Sequence, residues 1–99
     1  MFTIFGFYKF KKINYLKKNQ RLLNNLLIEK KIRGTIIISK EGLNGTISGK
    51  YKDIKNTISK LKLFLEINNF DNFNNSKSKF QPFYKAKVKI KSEVVPMNL

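Results

Sequence analysis

Four lysines fall at every second position near the end of the chain: Lys85, Lys87, Lys89 and Lys91. Between them lie Ala86, Val88 and Ile90. That alternation describes a strand with one apolar face and one cationic face. Successive lysines on the cationic face stand about 6.6–6.8 Å apart, close to the phosphate spacing of a stretched nucleic-acid strand. Tyr84, just before the row, is a candidate for stacking on a base. The same row has a plainer use, as a solvated edge whose lysines discourage aggregation. The charge of the whole chain favours the first use. There are 21 Lys and Arg against 6 Asp and Glu, a net charge of +15. Such a surface seeks polyanions. All its cations except Arg21 and Arg33 are lysine, and exchange of Arg for Lys does not explain the shortage of acids.

Bond-making chemistry is poorly supplied. The chain has no Cys and no His. That excludes disulfides, thiol catalysis and cysteine metal sites, and removes the commonest general base. The acids Glu29, Glu41, Asp53, Glu66, Asp71 and Glu93 show no pair at functional spacing. No catalytic residue, metal site or cofactor is expected. Lack of Cys fits a reducing cytoplasm. The apolar start, Met1 to Tyr8, is too short to span a membrane, and its Lys cluster follows rather than precedes it. The expected location is cytoplasmic, with no membrane contact.

The densest local signal is Glu41-Gly42-Leu43-Asn44-Gly45-Thr46-Ile47-Ser48-Gly49. Asn44-Gly45 tolerates the positive φ of a type I′ turn, so it predicts a hairpin tip between strands Thr35–Ser39 and Thr46–Ser48. Gly34, Gly42, Gly45 and Gly49 are four of the chain's five glycines, marking sharp bends or close approach. Glu41 suits a hydrogen bond to the turn backbone better than an acid–base role.

The remaining elements must carry these groups. Phe2–Phe10 reads as a central strand buried on both faces, and the rings of Phe5, Phe7, Tyr8 and Phe10 as core rather than as a stacking surface. A helix over 14–31, capped by Asn14 and stopped by Gly34, bears Leu16, Leu22, Leu23, Leu26 and Leu27 as its apolar stripe, with Lys17, Lys18 and Arg21 outward. A second helix over 51–67 places Ile54, Ile58, Leu61 and Leu65 on one face. Phe70 to Asn75 is weakly patterned and at most a short strand. Lys85 to Glu93 is the last strand. The order β-α-β-β-α-β predicts a ferredoxin-like (split βαβ) α+β sandwich, an antiparallel sheet with two helices on one face. Residues 1–99 make a single domain, with 41% hydrophobic and 13% aromatic residues as in globular chains.

The string Glu41-Gly42-x-Asn44-Gly45-Thr46-x-Ser48-Gly49 resembles the signature of the bacterial tRNA uridine hydroxylases, or rhodanese-related proteins. Pro82 to Val95 resembles the basic strand that closes their N-terminal domain, and the likeness runs from Phe2 to about Leu99. The resemblance implies an N-terminal-type domain that precedes a rhodanese-like domain absent from this chain. It implies oxygen-dependent hydroxylation of a wobble uridine, with the catalytic cysteine in the absent part and no hydroxylase activity in these 99 residues alone. The expected partner is tRNA, held by Lys85, Lys87, Lys89, Lys91 and Tyr84, with Glu41, Gly42, Asn44, Gly45, Thr46 and Gly49 as the family motif. The alternative is an interaction module that docks a rhodanese-like domain, in cis or trans, without touching RNA. The fold order also invites comparison with acylphosphatases. Their anion-cradling loop and critical arginine have no match in Lys11-Lys12-Ile13.

Overall fold

The computed structural model describes residues 1–92. In chain order the elements are β1 (Phe2–Phe10), α1 (Leu16–Glu29), β2 (Arg33–Ser39), β3 (Gly42–Gly49), α2 (Tyr51–Leu65), β4 (Asn72–Ser78) and β5 (Ala86–Ile90). The strands lie side by side as β4-β1-β3-β2-β5. α1 packs against β2 and β5, and α2 against β1 and β3, so both helices cover one face of the sheet. The α+β, split-βαβ architecture therefore holds. Phe5, Phe7, Ile36, Ile38, Leu43, Ile47 and Val88 of the sheet meet Leu23, Leu26, Leu27, Ile54, Leu61 and Leu65 of the helices in one core. Ile58 packs on its rim.

The sheet is mixed rather than wholly antiparallel. The weakly patterned segment forms β4 and pairs antiparallel with β1, from Phe2↔Ser78 to Tyr8↔Asn72. It takes the place of the fourth strand. A central strand's backbone groups need partners, and that demand outweighs poor strand propensity. The lysine-row strand, β5, is thereby a fifth strand at the opposite edge. It runs parallel to β2, from Gly34↔Ala86 to Ile38↔Ile90. Glu93, the predicted end of that strand, lies outside the described residues.

The hairpin tip is Lys40-Glu41, not Asn44-Gly45, because Ser39 already pairs with Gly42. The Ser39 hydroxyl accepts a hydrogen bond from the Glu41 amide at 3.0 Å. Asn44 and Gly45 sit inside β3, paired with Tyr8 and Phe7 of β1 and with Ile37 and Ile36 of β2. Gly45 has no positive φ. It is required by crowding: a Cβ would lie 2.7 Å from the Thr35 carbonyl oxygen and 3.0 Å from Phe7 Cζ.

β1 is buried on one face only. Thr3, Phe5 and Phe7 are buried, whereas Tyr8 is half-buried and Phe10 is exposed. The helix ends also differ from the sequence reading. Tyr15, in a left-handed conformation at φ 54°, precedes α1 without a side-chain cap. Asn14 contributes its carbonyl, which accepts from Asn19 Nδ2 at 2.8 Å. Gly34 lies inside β2, and the turn out of α1 falls at Lys31, with φ 57°.

Candidate nucleic-acid interface

β5 delivers its lysines by simple alternation. Val88 is buried, Ala86 and Ile90 pack on the core, and Lys87 and Lys89 are exposed on the other face. Hydrogen bonds beyond the strand continue its pairing with β2. The Gly34 amide donates to the Lys85 carbonyl at 3.0 Å, and the Lys91 amide donates to Ile38 at 2.9 Å. Lys85 and Lys91 therefore remain in phase with Lys87 and Lys89.

Strand pairing brings this row onto the same sheet face as half of the glycine-rich motif. One cross-strand row reads Asn74, Gly6, Thr46, Thr35, Lys87. The next reads Asn72, Tyr8, Asn44, Ile37, Lys89. Thus Asn44 and Thr46 look away from the helices, while Leu43, Gly45, Ile47 and Gly49 look toward them. Thr46 is exposed and Asn44 is buried. Gly45 and Gly49 serve packing: a Cβ on Gly49 would overlap the Ile32 side chain. Gly42 has φ 151°, and a Cβ there would overlap the Lys9 carbonyl. Glu41 is exposed at the turn, and its carbonyl accepts the Lys11 amide at 2.8 Å. Tyr84 is 96% exposed, at a groove that also holds Phe2, Ile28 and Arg33. It stands at the end of β5 rather than on the open sheet face.

A second group of cations joins the row and was not assigned from sequence. Because β5 is an edge strand beside α1, Lys17 and Arg21 of that helix line one groove with Lys87 and Lys89. In the same groove Gln20 Nε2 donates to the Val88 carbonyl at 2.8 Å, closing part of the exposed edge. The outward phase of Lys17 and Arg21 was legible from the helix period. Their convergence with β5 depends on strand order, which no local pattern encodes.

Negative charge stays off the strands, although Asp53 of α2 lines the groove that holds Tyr84 and Lys85. Among the described residues no strand holds an acid: Glu29, Glu41, Asp53, Glu66 and Asp71 lie in helices, turns or loops. Ion pairs among those residues join Lys9 to Asp71 at 3.3 Å and Lys30 to Glu29 at 3.9 Å. The β5 lysines belong to neither. Asp71 fixes the end of β1. It accepts the Phe10 amide at 2.6 Å, and that bond is the main cause of its lowered pKa. A smaller desolvation effect opposes it, and Lys9 adds to the lowering.

The loop after β1 does not present a free amide cradle. The Lys11 amide donates to Glu41 and the Ile13 amide donates to the Lys40 carbonyl at 3.2 Å, so both are committed to the hairpin turn.

The topology defines an acylphosphatase-like α+β fold, and comparison with solved structures agrees. An acylphosphatase from Coxiella burnetii superposes with TM-score 0.62 at 11% identity, over 91% of this chain and 93% of that one. The Bacillus subtilis acylphosphatase gives 0.58 at 9%, over 92% and 99%. These likenesses establish the fold alone. The sequence goes further. The family described as "UPF0176 acylphosphatase like domain" matches residues 2–94. The chain belongs to this UPF0176 N-terminal domain family. It is 65% identical over 99 residues to a tRNA uridine(34) hydroxylase of Pelagibacter ubique (strain HTCC1062). That match covers 100% of this chain and 33% of the relative, so the chain spans about a third of the relative's length.

Proposed function

We propose that this chain is the RNA-engaging N-terminal domain of a tRNA-modifying hydroxylase, and that it holds tRNA by its phosphates through β5 and α1. One observation carries the reading: Lys17 and Arg21 of α1 border a groove along the β5 edge, and Lys87 and Lys89 project from the adjoining open face of that edge, while the acids lie off the strands. Such a groove attracts a phosphate backbone and positions it without reading sequence. Lys85 and Lys91 extend the cationic line, and Tyr84 offers a ring at its end. The tRNA context comes from the 65% identical relative. In this reading the domain holds substrate, and hydroxylation of the wobble uridine belongs to a rhodanese-like part outside the chain.

The test is filter binding of tRNA at several salt concentrations. Replacing Lys87 and Lys89 with Gln should weaken binding and make the salt slope shallower by roughly 0.7–0.9 per lost phosphate contact. The fold should persist, because these side chains point away from the core. An unchanged slope removes β5 from the RNA site.

A rhodanese-like domain, in this reading, would dock on α2 rather than on β5. Leu63 is 75% exposed and Phe64 is partly exposed, both on α2. That helix packs over β1 and β3, away from β5. The two roles use different parts of the molecule.

A further inference from the structure

β1 puts Phe2, Ile4, Tyr8 and Phe10 on the open face of the sheet, and one glycine, Gly6, among them. Nothing in the backbone requires glycine there. Its φ is not positive, and the nearest atoms a Cβ would meet belong to the Asn74 side chain, with Oδ1 at 3.2 Å. Glycine inside a strand loses more chain entropy on folding than a residue with a side chain. What its absence of a side chain leaves is a depression toward the β4 side of the face, between β4, β1 and β3. Tyr8 bounds it along β1, Thr46 on β3, and Asn72 and Asn74 on β4.

The lining includes the Tyr8 ring, the Thr46 hydroxyl and the carboxamides of Asn44, Asn72 and Asn74, with Phe7 and Phe73 beside them. A ring offers a stacking surface to any nucleobase, and Asn and Thr side chains donate to and accept from base edges. Phe10 stands against Tyr8 with ring centroids 5.7 Å apart and planes at 72°, which braces the tyrosine in one orientation. Lys87 lies in the same cross-strand row as Gly6, three strands away, or about 14 Å. The strands of this face carry no carboxylate among the described residues. The apolar row of β1 is flanked on this face by Asn72, Asn74, Asn44 and Thr46 and, further along, by Lys87 and Lys89. Rings set among polar and cationic groups match single-stranded RNA better than the uniformly apolar centre of a stable protein interface.

We infer that this depression seats one unpaired RNA base, stacked on Tyr8 with its edge toward Thr46 and Asn74, while the adjoining phosphates run toward Lys87 and Lys89. The inference rests on the RNA reading above and adds to it a site for a single nucleotide. It divides the labour of the domain. The groove between α1 and β5 takes charge alone, and the open face selects for unpaired RNA.

The experiment uses the 99-residue chain and two labelled RNAs, an unstructured octamer and a blunt duplex, followed by fluorescence anisotropy. Tyr8→Ser should weaken octamer binding roughly 5- to 150-fold, the usual cost of losing one stacked base. Tyr8→Phe should retain binding, since the ring remains. Gly6→Leu, which fills the depression without changing charge, should weaken the octamer as Tyr8→Ser does. None of the three should alter duplex binding. A measurement on the unaltered protein guards against misfolded variants: titration with the octamer should shift the amide resonances of Gly6, Thr46 and Asn74. If those resonances stay fixed while RNA binds at β5 and α1, the seat is refuted and the face is left to a protein partner. Unchanged octamer affinity in folded Tyr8→Ser and Gly6→Leu refutes it equally. If the unaltered chain binds neither RNA, the broader RNA reading falls with it.

Discussion

A methyl group added to Gly45 would press on the Thr35 carbonyl and on the Phe7 ring, and neither can retreat without disturbing the central strands. Gly45→Ala should therefore cost about 1–3 kcal/mol, the range for overpacking, and Gly45→Val more. Its neighbour Thr46 is exposed on the opposite face, so Thr46→Ala should stay within about 0.5 kcal/mol. Urea unfolding of both variants checks this, and equal midpoints would refute the division of the motif into a packing side and an open side. Asp71 supports a pH prediction. Its carboxylate accepts the Phe10 amide, and its own amide donates to the Tyr8 carbonyl at 3.0 Å, so it clips β1 to the start of β4. Its folded pKa is depressed, chiefly by the Phe10 hydrogen bond and further by Lys9. Such a group stabilises the fold above its unfolded pKa of about 3.9, and the contribution is lost as pH falls through the lower folded value. The stability gap between the natural chain and Asp71→Asn should be full at pH 7 and shrink below about pH 4. A gap independent of pH would mean that the charge plays no part.

Both helices end alike. After α1, the Ile32 amide reaches back to the Leu27 carbonyl at 2.8 Å and the Lys31 amide to Ile28 at 3.1 Å, with Lys31 left-handed. After α2, the Ile67 amide bonds Lys62 at 2.9 Å and the Glu66 amide bonds Leu63 at 3.4 Å, with Glu66 left-handed. These are Schellman closures in which Lys and Glu stand where glycine is usual. The left-handed conformation costs such residues about 1–2 kcal/mol. Burial of Ile32 and Ile67, which each closure turns into the core, offsets that cost. Lys31→Gly and Glu66→Gly should each raise stability by about 0.5–1 kcal/mol, once the greater freedom of an unfolded glycine is subtracted. A fall in thermal midpoint for either would contradict the assignment. These closures also show what could be read in advance. The stripes of Leu23, Leu26 and Leu27 and of Ile54, Leu61 and Leu65 located both helices, because burial imposes a period on sequence. The alternation of Ala86, Val88 and Ile90 with lysines located β5 for the same reason. Asn44-Gly45 misled, since a glycine demanded by close packing and a glycine demanded by a turn look identical in sequence. β4 was faint because Asn72, Asn74, Asn75 and Ser76 bury nothing and are held by the edge of β1. The convergence of α1 with β5, and hence half of the proposed RNA groove, follows from strand order alone.

At the scale of the whole molecule the governing quantity is a charge of +15 on a body with a radius of gyration of 12.4 Å. The Debye length is about 30 Å at 0.01 M salt and about 8 Å at 0.15 M. At the lower concentration the cations repel one another across the entire domain, and at the higher one only near neighbours do. Self-repulsion opposes the compact state, so without RNA the thermal midpoint should rise as salt is added. A bound polyanion relieves the same repulsion and also stabilises by mass action, by about 2.7 kcal/mol at a hundred times its Kd. For a domain of this size that is a shift on the order of 10 °C. RNA binding through phosphates weakens steeply with salt, so the two effects run in opposite directions. The midpoint with RNA should lie well above the midpoint without it at 0.01 M salt, and the two curves should converge as salt approaches 0.5 M. Differential scanning fluorimetry of the chain with and without the RNA octamer measures both. An RNA-induced rise of equal size at both ends of the salt range would show that the contact is not made through phosphates, and would overturn the phosphate-holding role of Lys87, Lys89 and the groove they share with α1.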